Sequence, residues 1–257
     1  MDKSSFGGIV LAVGGILTGM MMEGGSLSQI LQPTAAIIVF GGTLGACLLQ
    51  FPLRTVVRAF KQLAVVFFSK DQDGTAVVKQ LVEFANKARR TGIVSLDQDL
   101  GSVRDPFLKQ ALMLAVDGTE PAELRKIMQL ELDNHGENDE RIPQVFESAG
   151  GYSPTVGIIG AVLGLIQVMQ HLDDINEVGK GIAVAFVATI YGVGLANLFC
   201  LPSAGKLKIR HREEQLQKEM MLEGVISIME GMNPRMVELK LNTYLDGKHP
   251  LEASARA

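Results

Sequence analysis

Long apolar stretches without a single Asp, Glu, Lys or Arg occupy two parts of this sequence. They cover residues 6–22 and 24–53, and then residues 148–172 and 181–205. A helix needs about 20 apolar residues to cross a bilayer. Within the second stretch, Pro33 and the polar residues before it confine the span to its later part. The sequence therefore predicts transmembrane helices at about 5–22, 32–51, 150–170 and 182–202.

The basic residues give these spans a direction. Basic side chains follow the second and fourth spans, whereas the short loops at 23–31 and 171–180 contain only one, Lys180. Basic residues in short flanks remain in the cytoplasm, so both termini are expected there. We predict an all-α polytopic membrane protein with a helical cytoplasmic domain. Its expected parts are a transmembrane hairpin (1–51), the cytoplasmic domain (52–148), a second hairpin (149–203) and cytoplasmic C-terminal helices with a tail (204–257).

Composition and motifs exclude several classes of function. The net charge is −4, and there is no basic run interleaved with aromatic residues, so nucleic-acid binding has no support. The two cysteines, Cys47 and Cys200, fall inside spans and are expected to be buried apolar residues. The histidines show no metal-ligand spacing. Without a phosphate-binding loop or a nucleophile constellation, we expect no enzyme activity, no cofactor and no bound metal.

Small residues recur at four-residue spacing within the spans. The pairs are Gly15/Gly19, Gly41/Gly45 and Gly160/Gly164. This spacing lets helix backbones approach closely in lipid. It is compatible both with tight packing inside one subunit and with faces that build a homo-oligomeric ring.

The two spans of the second hairpin contain polar groups but no acid. Pro154 lies near the start of the third span, Pro202 near the end of the fourth, and Thr189 in the middle of the fourth. Helix-end prolines are tolerated because few backbone bonds are lost there, but they can also leave carbonyls free beside a polar path. A lone threonine either bonds back to its own helix or offers its oxygen to an ion or a carboxyl group. Since proton relays in membranes use Asp, Glu or His, ion coupling would require a partner helix carrying an acid.

Three segments of the chain match a known pattern. Residues 153–166 read SPTVGIIGAVLGLI, residues 181–192 read GIAVAFVATIYG, and residues 231–241 read GMNPRMVELKL. In order and topology the chain resembles the flagellar motor stator A subunit (MotA/PomA type, in the MotA/TolQ/ExbB proton channel family).

The resemblance implies a stator unit in the bacterial inner membrane. A pentamer of A subunits would surround two copies of a single-span, peptidoglycan-binding B subunit that supplies the ion-binding aspartate. Thr189 matches the family threonine facing that aspartate, and Pro154 and Pro202 match two functional prolines. Ion flow would drive rotation and turn the flagellar rotor through its switch protein.

The resemblance also implies two sets of finer roles. The family's torque-transmitting charges match Arg89 and Asp97 best, with Arg90 and Asp99 as neighbours of like sign. Asp97 stands where a Glu is common, which shortens its reach by one methylene. Sodium-type relatives carry extra threonines at the positions of Ala161 and Ala188. Methyl groups there favour H⁺ as the transported ion, with Na⁺ as the alternative.

Three other functions fit parts of the pattern. A non-conducting scaffold is compatible with the spans. A TolQ/ExbB-type energiser would begin with a lone span, whereas this chain begins with a hairpin. A small-solute transporter would need a substrate site built from several polar groups at the midplane, often with inverted repeats, and the sequence shows neither.

Overall fold

A computed structural model describes residues 3–68 and 74–245, and the regular structure in these ranges is helical throughout. The predicted tail beyond residue 246 lies outside the described residues. Two helices contain π-helical segments, Ile37–Gly41 and Leu195–Cys200, and one short segment, Ile93–Ser102, is a 3-10 helix. The α-helices are α1 (Lys3–Met22), α2 (Leu27–Ile30), α3 (Pro33–Ala36), α4 (Gly42–Gln50), α5 (Leu53–Phe68), α6 (Gly74–Thr91), α7 (Pro106–Val116), α8 (Pro121–Gln170), α9 (Ile175–Gly194), α10 (Leu201–Met229) and α11 (Pro234–Asn242).

Four helices are long and apolar enough to cross a membrane. They are α1, the continuous helix from α3 to α4, α8, and the continuous helix from α9 to α10. This confirms the predicted all-helical class with four candidate membrane-spanning helices. The chain divides into two compact units, whose boundaries fall inside α8 and α10. We call Met1–Lys70 with Asp139–Arg210 the membrane unit, and Asp71–Asn138 with His211–Ala257 the extramembrane unit.

In the membrane unit, α9 packs against both α8 and the α3–α4 helix. Ala35 and Val39 form a buried cluster with Val187 and Ala188. By contrast, none of the apolar window Ser5–Met22 of α1 is buried within the described chain. The helix α1 lies beside the π-helical segment of α9–α10.

The membrane unit also contains α5, which follows α4 after Phe51 and Pro52. Its alternation of apolar and basic residues predicts an amphipathic helix near the membrane surface, and one apolar stripe is buried. The unit thus extends past the predicted boundaries at 52 and 148, because this stripe packs on the neighbouring parts of α8 and α10. The buried set is Val56, Ala59, Leu63, Ile142, Val145, Phe146, Ala204 and Leu207.

The extramembrane unit has its own apolar core. Leu81, Leu108, Leu124, Met221 and Val225 are each at most 1% exposed and come from α6, α7, α8 and α10. Local signals set the helix limits. Asp105 accepts hydrogen bonds from the N–H groups of Phe107 and Leu108, which caps α7 ahead of Pro106. Gly92, with a φ of 83°, ends α6 in a conformation that costs glycine little.

Candidate functional site

The helices α8 and α9 pack backbone to backbone along a row of glycines. A Cβ atom added at Gly157 would lie 2.9 Å from the Ala188 carbonyl oxygen, and one at Gly164 would lie 2.7 Å from the Gly181 carbonyl oxygen. At Gly192 the added Cβ would lie 2.5 Å from the Ser153 carbonyl oxygen. Only glycine fits at such contacts, as in close helix pairs in lipid. We call this contact the α8–α9 seam, comprising Gly157, Gly160 and Gly164 with Gly181, Ala185, Ala188 and Gly192.

The predicted small-residue pairs now separate into two kinds. Gly160 and Gly164 face α9 of the same chain, so this pair serves packing within the subunit. An added Cβ at Gly15 or Gly19 would meet no atom of the described chain within 4 Å, and Gly41 and Gly45 behave in the same way. The faces of α1 and of the continuous α3–α4 helix that carry these two pairs are therefore open to lipid or to another chain.

One side of the seam is covered and the other is open. On the covered side, Gly42 of α4 approaches Val156, and Ile38 approaches Gly160. The helical repeat places the next stripe of α8 on the opposite side of the seam. On α9, the stripe through Ile182, Phe186, Thr189 and Val193 faces the same way. We call this surface the outer groove; its walls are Pro154, Ile158, Ala161 and Leu165 on α8, and Ile182, Phe186, Thr189 and Val193 on α9.

The outer groove brings together three of the five predicted pathway residues. Because Ala188 packs against Gly160, the next residues, Thr189 and Ala161, lie at about the same depth on the two helices. Both are half-buried, as is Pro154 closer to the start of the span. Their apolar neighbours are exposed, with Phe186 at 70%. The outer groove is thus a surface on the membrane-spanning parts of α8 and α9 that the rest of the described chain leaves uncovered.

Thr189 supplies a hydroxyl to this groove. Its Oγ1 donates to the Ala185 carbonyl at 3.1 Å, which is the back-bonded arrangement common for threonine in membrane helices. A hydroxyl oxygen that donates its proton in this way still has lone pairs that accept. Thr189 can therefore receive a hydrogen bond from an acid, or contribute one oxygen to a cation, that another chain places in the groove.

The other two predicted pathway residues lie elsewhere. Ala188 is fully buried, and its Cβ would lie 2.7 Å from a Cβ added at Gly160. It therefore points into the α8–α9 seam, and only Ala161 of the two alanines borders the outer groove. Pro202 is exposed in the first turn of α10. Before it, the Leu201 N–H bonds to the Ala196 carbonyl five residues earlier, at the end of the π-helical segment.

The predicted rotor-contact residues lie in the extramembrane unit, where the chain turns back on α6. Arg89 and Arg90 are exposed in the last turn of α6, and Asp97 is exposed on the 3-10 segment that follows. Asp99 is different, because its Oδ2 accepts from Lys87 Nζ at 2.7 Å. We call Arg89, Arg90, Asp97 and Asp99 the charged face.

Sequence reasoning missed two features beside this face. Lys87 received no role, because a lysine in a charged helix usually belongs to a solvated surface. The second feature is a cleft of about 360 Å³ between α6 and α11. Arg89 and Arg90 border the cleft together with Arg235 and Glu238, and no sequence spacing relates residues so far apart in the chain. Among the described residues, no three His, Cys, Asp or Glu side chains gather to hold a metal ion.

Comparisons with known proteins agree with this architecture. The profile of the MotA/TolQ/ExbB proton channel family matches residues 100–220, and the profile described as motility protein A N-terminal matches residues 6–92. Motility protein A of Bacillus subtilis (strain 168) is 36% identical over 256 residues, covering 98% of this chain and 94% of that protein.

Two solved structures are similar over nearly the whole chain. A chain of the C. jejuni MotAB structure has a TM-score of 0.92 and 32% identity, covering 97% of this chain and 98% of its own length. A chain of the flagellar MotAB stator complex from Bacillus subtilis has a TM-score of 0.88 and 35% identity, covering 97% of this chain and 99% of its own. The N-terminal profile covers the first hairpin, the feature by which the sequence argued against a TolQ/ExbB-type energiser. These matches confirm the resemblance seen in the sequence: the chain belongs to the MotA/TolQ/ExbB proton channel family, as a multi-pass membrane protein of the motility protein A type.

Proposed function

We propose that this chain is the A subunit of a flagellar motor stator, which converts an ion gradient into torque together with a single-span B subunit. The observation that carries this proposal is the outer groove. It offers the Thr189 hydroxyl at membrane depth, and residues 181–205 and 148–172 contain no Asp, Glu, Lys or Arg and only one histidine, His171, at one end. The solved relatives are described as MotAB and as a flagellar MotAB stator complex, which supports a companion chain as the source of the acid.

The companion helix would lie in the outer groove with its aspartate near Thr189. A charged carboxylate is costly in the bilayer and is stabilised by pairing or hydrogen bonding. When protonated, that acid can donate to the free lone pairs of Thr189; when ionised, it loses this bond. While its hydroxyl proton stays on the Ala185 carbonyl, Thr189 would therefore favour the protonated acid, and each release of the proton would change the contact between the subunits.

We propose H⁺ as the transported ion. Sodium binds to several hard oxygen ligands, whereas Ala161 contributes only a methyl group to the groove beside Thr189. A proton needs only the acid and water. The prolines would act on the backbone: Pro154 has no N–H for the Gly150 carbonyl, and Pro202 follows a π-helical segment, so both helices can bend near these points.

The charged face would transmit torque to the rotor switch protein. Arg89, Arg90 and Asp97 are exposed, and exposed charges steer and orient contact more than they add affinity. This role places the extramembrane unit and both termini in the cytoplasm and the spans in the inner membrane, in keeping with the basic flanks. The open glycine faces of α1 and of the α3–α4 helix support assembly into a ring, which we propose is a pentamer. No step in this function requires covalent catalysis or a cofactor.

A matched pair of threonine variants tests the pathway. Thr189→Val removes the groove hydroxyl without changing side-chain volume, and we expect loss of most swimming speed with normal membrane levels of the complex. Thr155→Val is the control: Thr155 is exposed and also back-bonds, to the Tyr152 carbonyl at 2.7 Å, but it lies outside the groove stripe. We expect this control variant to swim normally.

Three results would count against the proposal. Unchanged swimming in Thr189→Val would remove the role of the hydroxyl. Selective currents from liposomes containing only this chain would show that it carries its own ion site. Swimming that depends on sodium and ignores a protonophore would overturn the choice of H⁺.

A further inference from the structure

An ion pair holds the 3-10 segment of the charged face against α6. Lys87 Nζ and Asp99 Oδ2 are 2.7 Å apart, and the two side chains are 36% and 31% exposed. Lys87 lies one turn before the end of α6, and Asp99 lies near the end of the 3-10 segment. The pair therefore joins two points of the chain that lie on either side of the turn at Gly92.

Two further ties fix the same segment. Thr91 Oγ1 donates to Ser95 Oγ at 2.8 Å, and Ser95 Oγ donates to the Gly92 carbonyl at 2.7 Å. One residue later, Leu96 is 1% exposed in the core of the extramembrane unit. Asp97 comes directly after this anchor and before the ion pair at Asp99. Its backbone is thus held on both sides while its side chain is exposed.

The bonding partner of the Asp99 carboxylate decides whether this residue contacts the rotor or acts within the subunit. A residue that contacts the rotor must offer its carboxylate to another molecule, but the Asp99 carboxylate already accepts from Lys87 within the subunit. A partner could take this carboxylate only by replacing Lys87. Arg89, Arg90 and Asp97, by contrast, are exposed, and none of them forms an ion pair of this kind within the described residues.

We propose that Lys87 and Asp99 are positioning residues: their ion pair holds Asp97 in a fixed register with Arg89 and Arg90, and Asp99 does not itself contact the rotor. This inference rests on the proposed function, because it assumes that the rotor meets the charged face. A partly exposed pair contributes little to overall stability. Its loss should therefore change how the charged face is presented without unfolding the subunit.

A charge exchange tests the inference. Lys87→Asp and Asp99→Lys each place like charges together and should strongly reduce the torque on tethered cells. The double variant Lys87→Asp/Asp99→Lys restores opposite charges and should recover most of the torque. The unfolding midpoint of the purified complex, its membrane level and its ion conduction should stay unchanged in all three variants, which a merely structural role would not allow.

Control variants make the outcomes distinct. Glu123→Lys breaks an exposed pair with Lys126, at 3.9 Å in the wild type, and should leave torque unchanged. Arg90→Glu should reduce torque, and Lys87→Asp should not rescue it. If Asp99→Lys reduces torque and the exchange fails to restore it, Asp99 contacts the rotor directly and our inference is wrong.

Two more results are decisive. If both single variants keep normal torque while Arg90→Glu loses it, the ion pair has no positioning role, and the proposed function stands. If Arg90→Glu and Asp97→Lys also keep normal torque, the rotor does not use the charged face. In that case the proposed function fails at this point and the positioning role falls with it.

Discussion

Replacing Gly192 by alanine should separate α8 from α9. The added Cβ would lie 2.5 Å from the Ser153 carbonyl oxygen, 3.1 Å from the Gly157 Cα and 3.2 Å from the Pro154 Cα. All three are backbone atoms of α8, so no side chain can rotate away to make room. An ordinary contact begins near 3.4 Å, and the closest approach falls short of it by about 0.9 Å. The two helices must therefore shift along the α8–α9 seam.

The cost can be estimated against a control in the same helix. Overpacking by one methyl group in a closely packed site costs about 1–3 kcal/mol. Alanine also gains about 1 kcal/mol over glycine in helix propensity, so Gly192→Ala alone would understate the clash. Gly194→Ala has the same gain, and its added Cβ would meet no atom of the described chain within 4 Å. The difference between the two variants isolates the effect of the seam.

Thermal unfolding of the purified complex in detergent measures this difference. For a chain of this size, each kcal/mol shifts the midpoint by roughly 2–4 °C, so Gly192→Ala should melt on the order of 5 °C below Gly194→Ala. Both variants need the same scan rate, because membrane complexes often unfold irreversibly. Equal midpoints, or a higher one for Gly192→Ala, would refute backbone contact at this point of the seam.

Two further predictions concern single side chains. Burial raises the pKa of Glu223, but hydrogen bonds from Lys240 and Arg125 outweigh this effect. The pKa is therefore lowered from its ordinary 4.5. A lowered pKa adds stability above pH 4.5 that is lost as the pH falls through the folded-state value. Glu223→Gln should therefore remove part of the acid sensitivity of the unfolding midpoint. An unchanged dependence of the midpoint on acidic pH would contradict this. Tyr191 Oη donates to the Ile30 carbonyl at 2.5 Å and accepts a hydrogen bond from the Gln32 N–H at 3.4 Å. Tyr191→Phe should therefore lower the free energy of unfolding by about 1–3 kcal/mol. Tyr152→Phe loses only an exposed hydrogen bond and should cost less. Equal unfolding midpoints of the two variants would count against a stabilising role for the Tyr191 hydrogen bonds.

The sequence was sufficient to predict the helices along the chain, but not to predict which neighbour each helix face contacts. Charge-free stretches of bilayer length predict spans because the bilayer core excludes charged side chains, and the structure has an apolar helix at each of the four places. The same stretches say little about orientation around the helix axis, since apolar residues suit lipid and protein contacts alike. For this reason Gly160 and Gly15 looked equivalent in sequence, and only the structure distinguishes a seam from an open face.

The candidate sites show the same limit. Thr189 and Ala161 could be nominated by resemblance, but their common depth depends on how α8 and α9 pack. The pairing of Lys87 with Asp99 depends on the turn at Gly92 and on the burial of Leu96. A spacing of twelve residues between two charges indicates neither the turn nor the burial of Leu96. Long-range contacts of this kind need the packed core before they exist.

The arrangement of the membrane unit explains why an acid supplied by another chain suits this fold. The α8–α9 seam leaves no space for a side chain larger than that of alanine, so an ionisable group of this subunit could stand only on the outer groove or on an open face. An isolated carboxylate there would face lipid in every unassembled subunit, at a cost of several kcal/mol. With only a hydroxyl already bonded to its own helix, the groove remains compatible with lipid before assembly. The Thr189 oxygen can then serve an incoming acid without first losing a hydrogen bond. Under the proposed function, ion coupling would therefore begin only when the companion helix is in place.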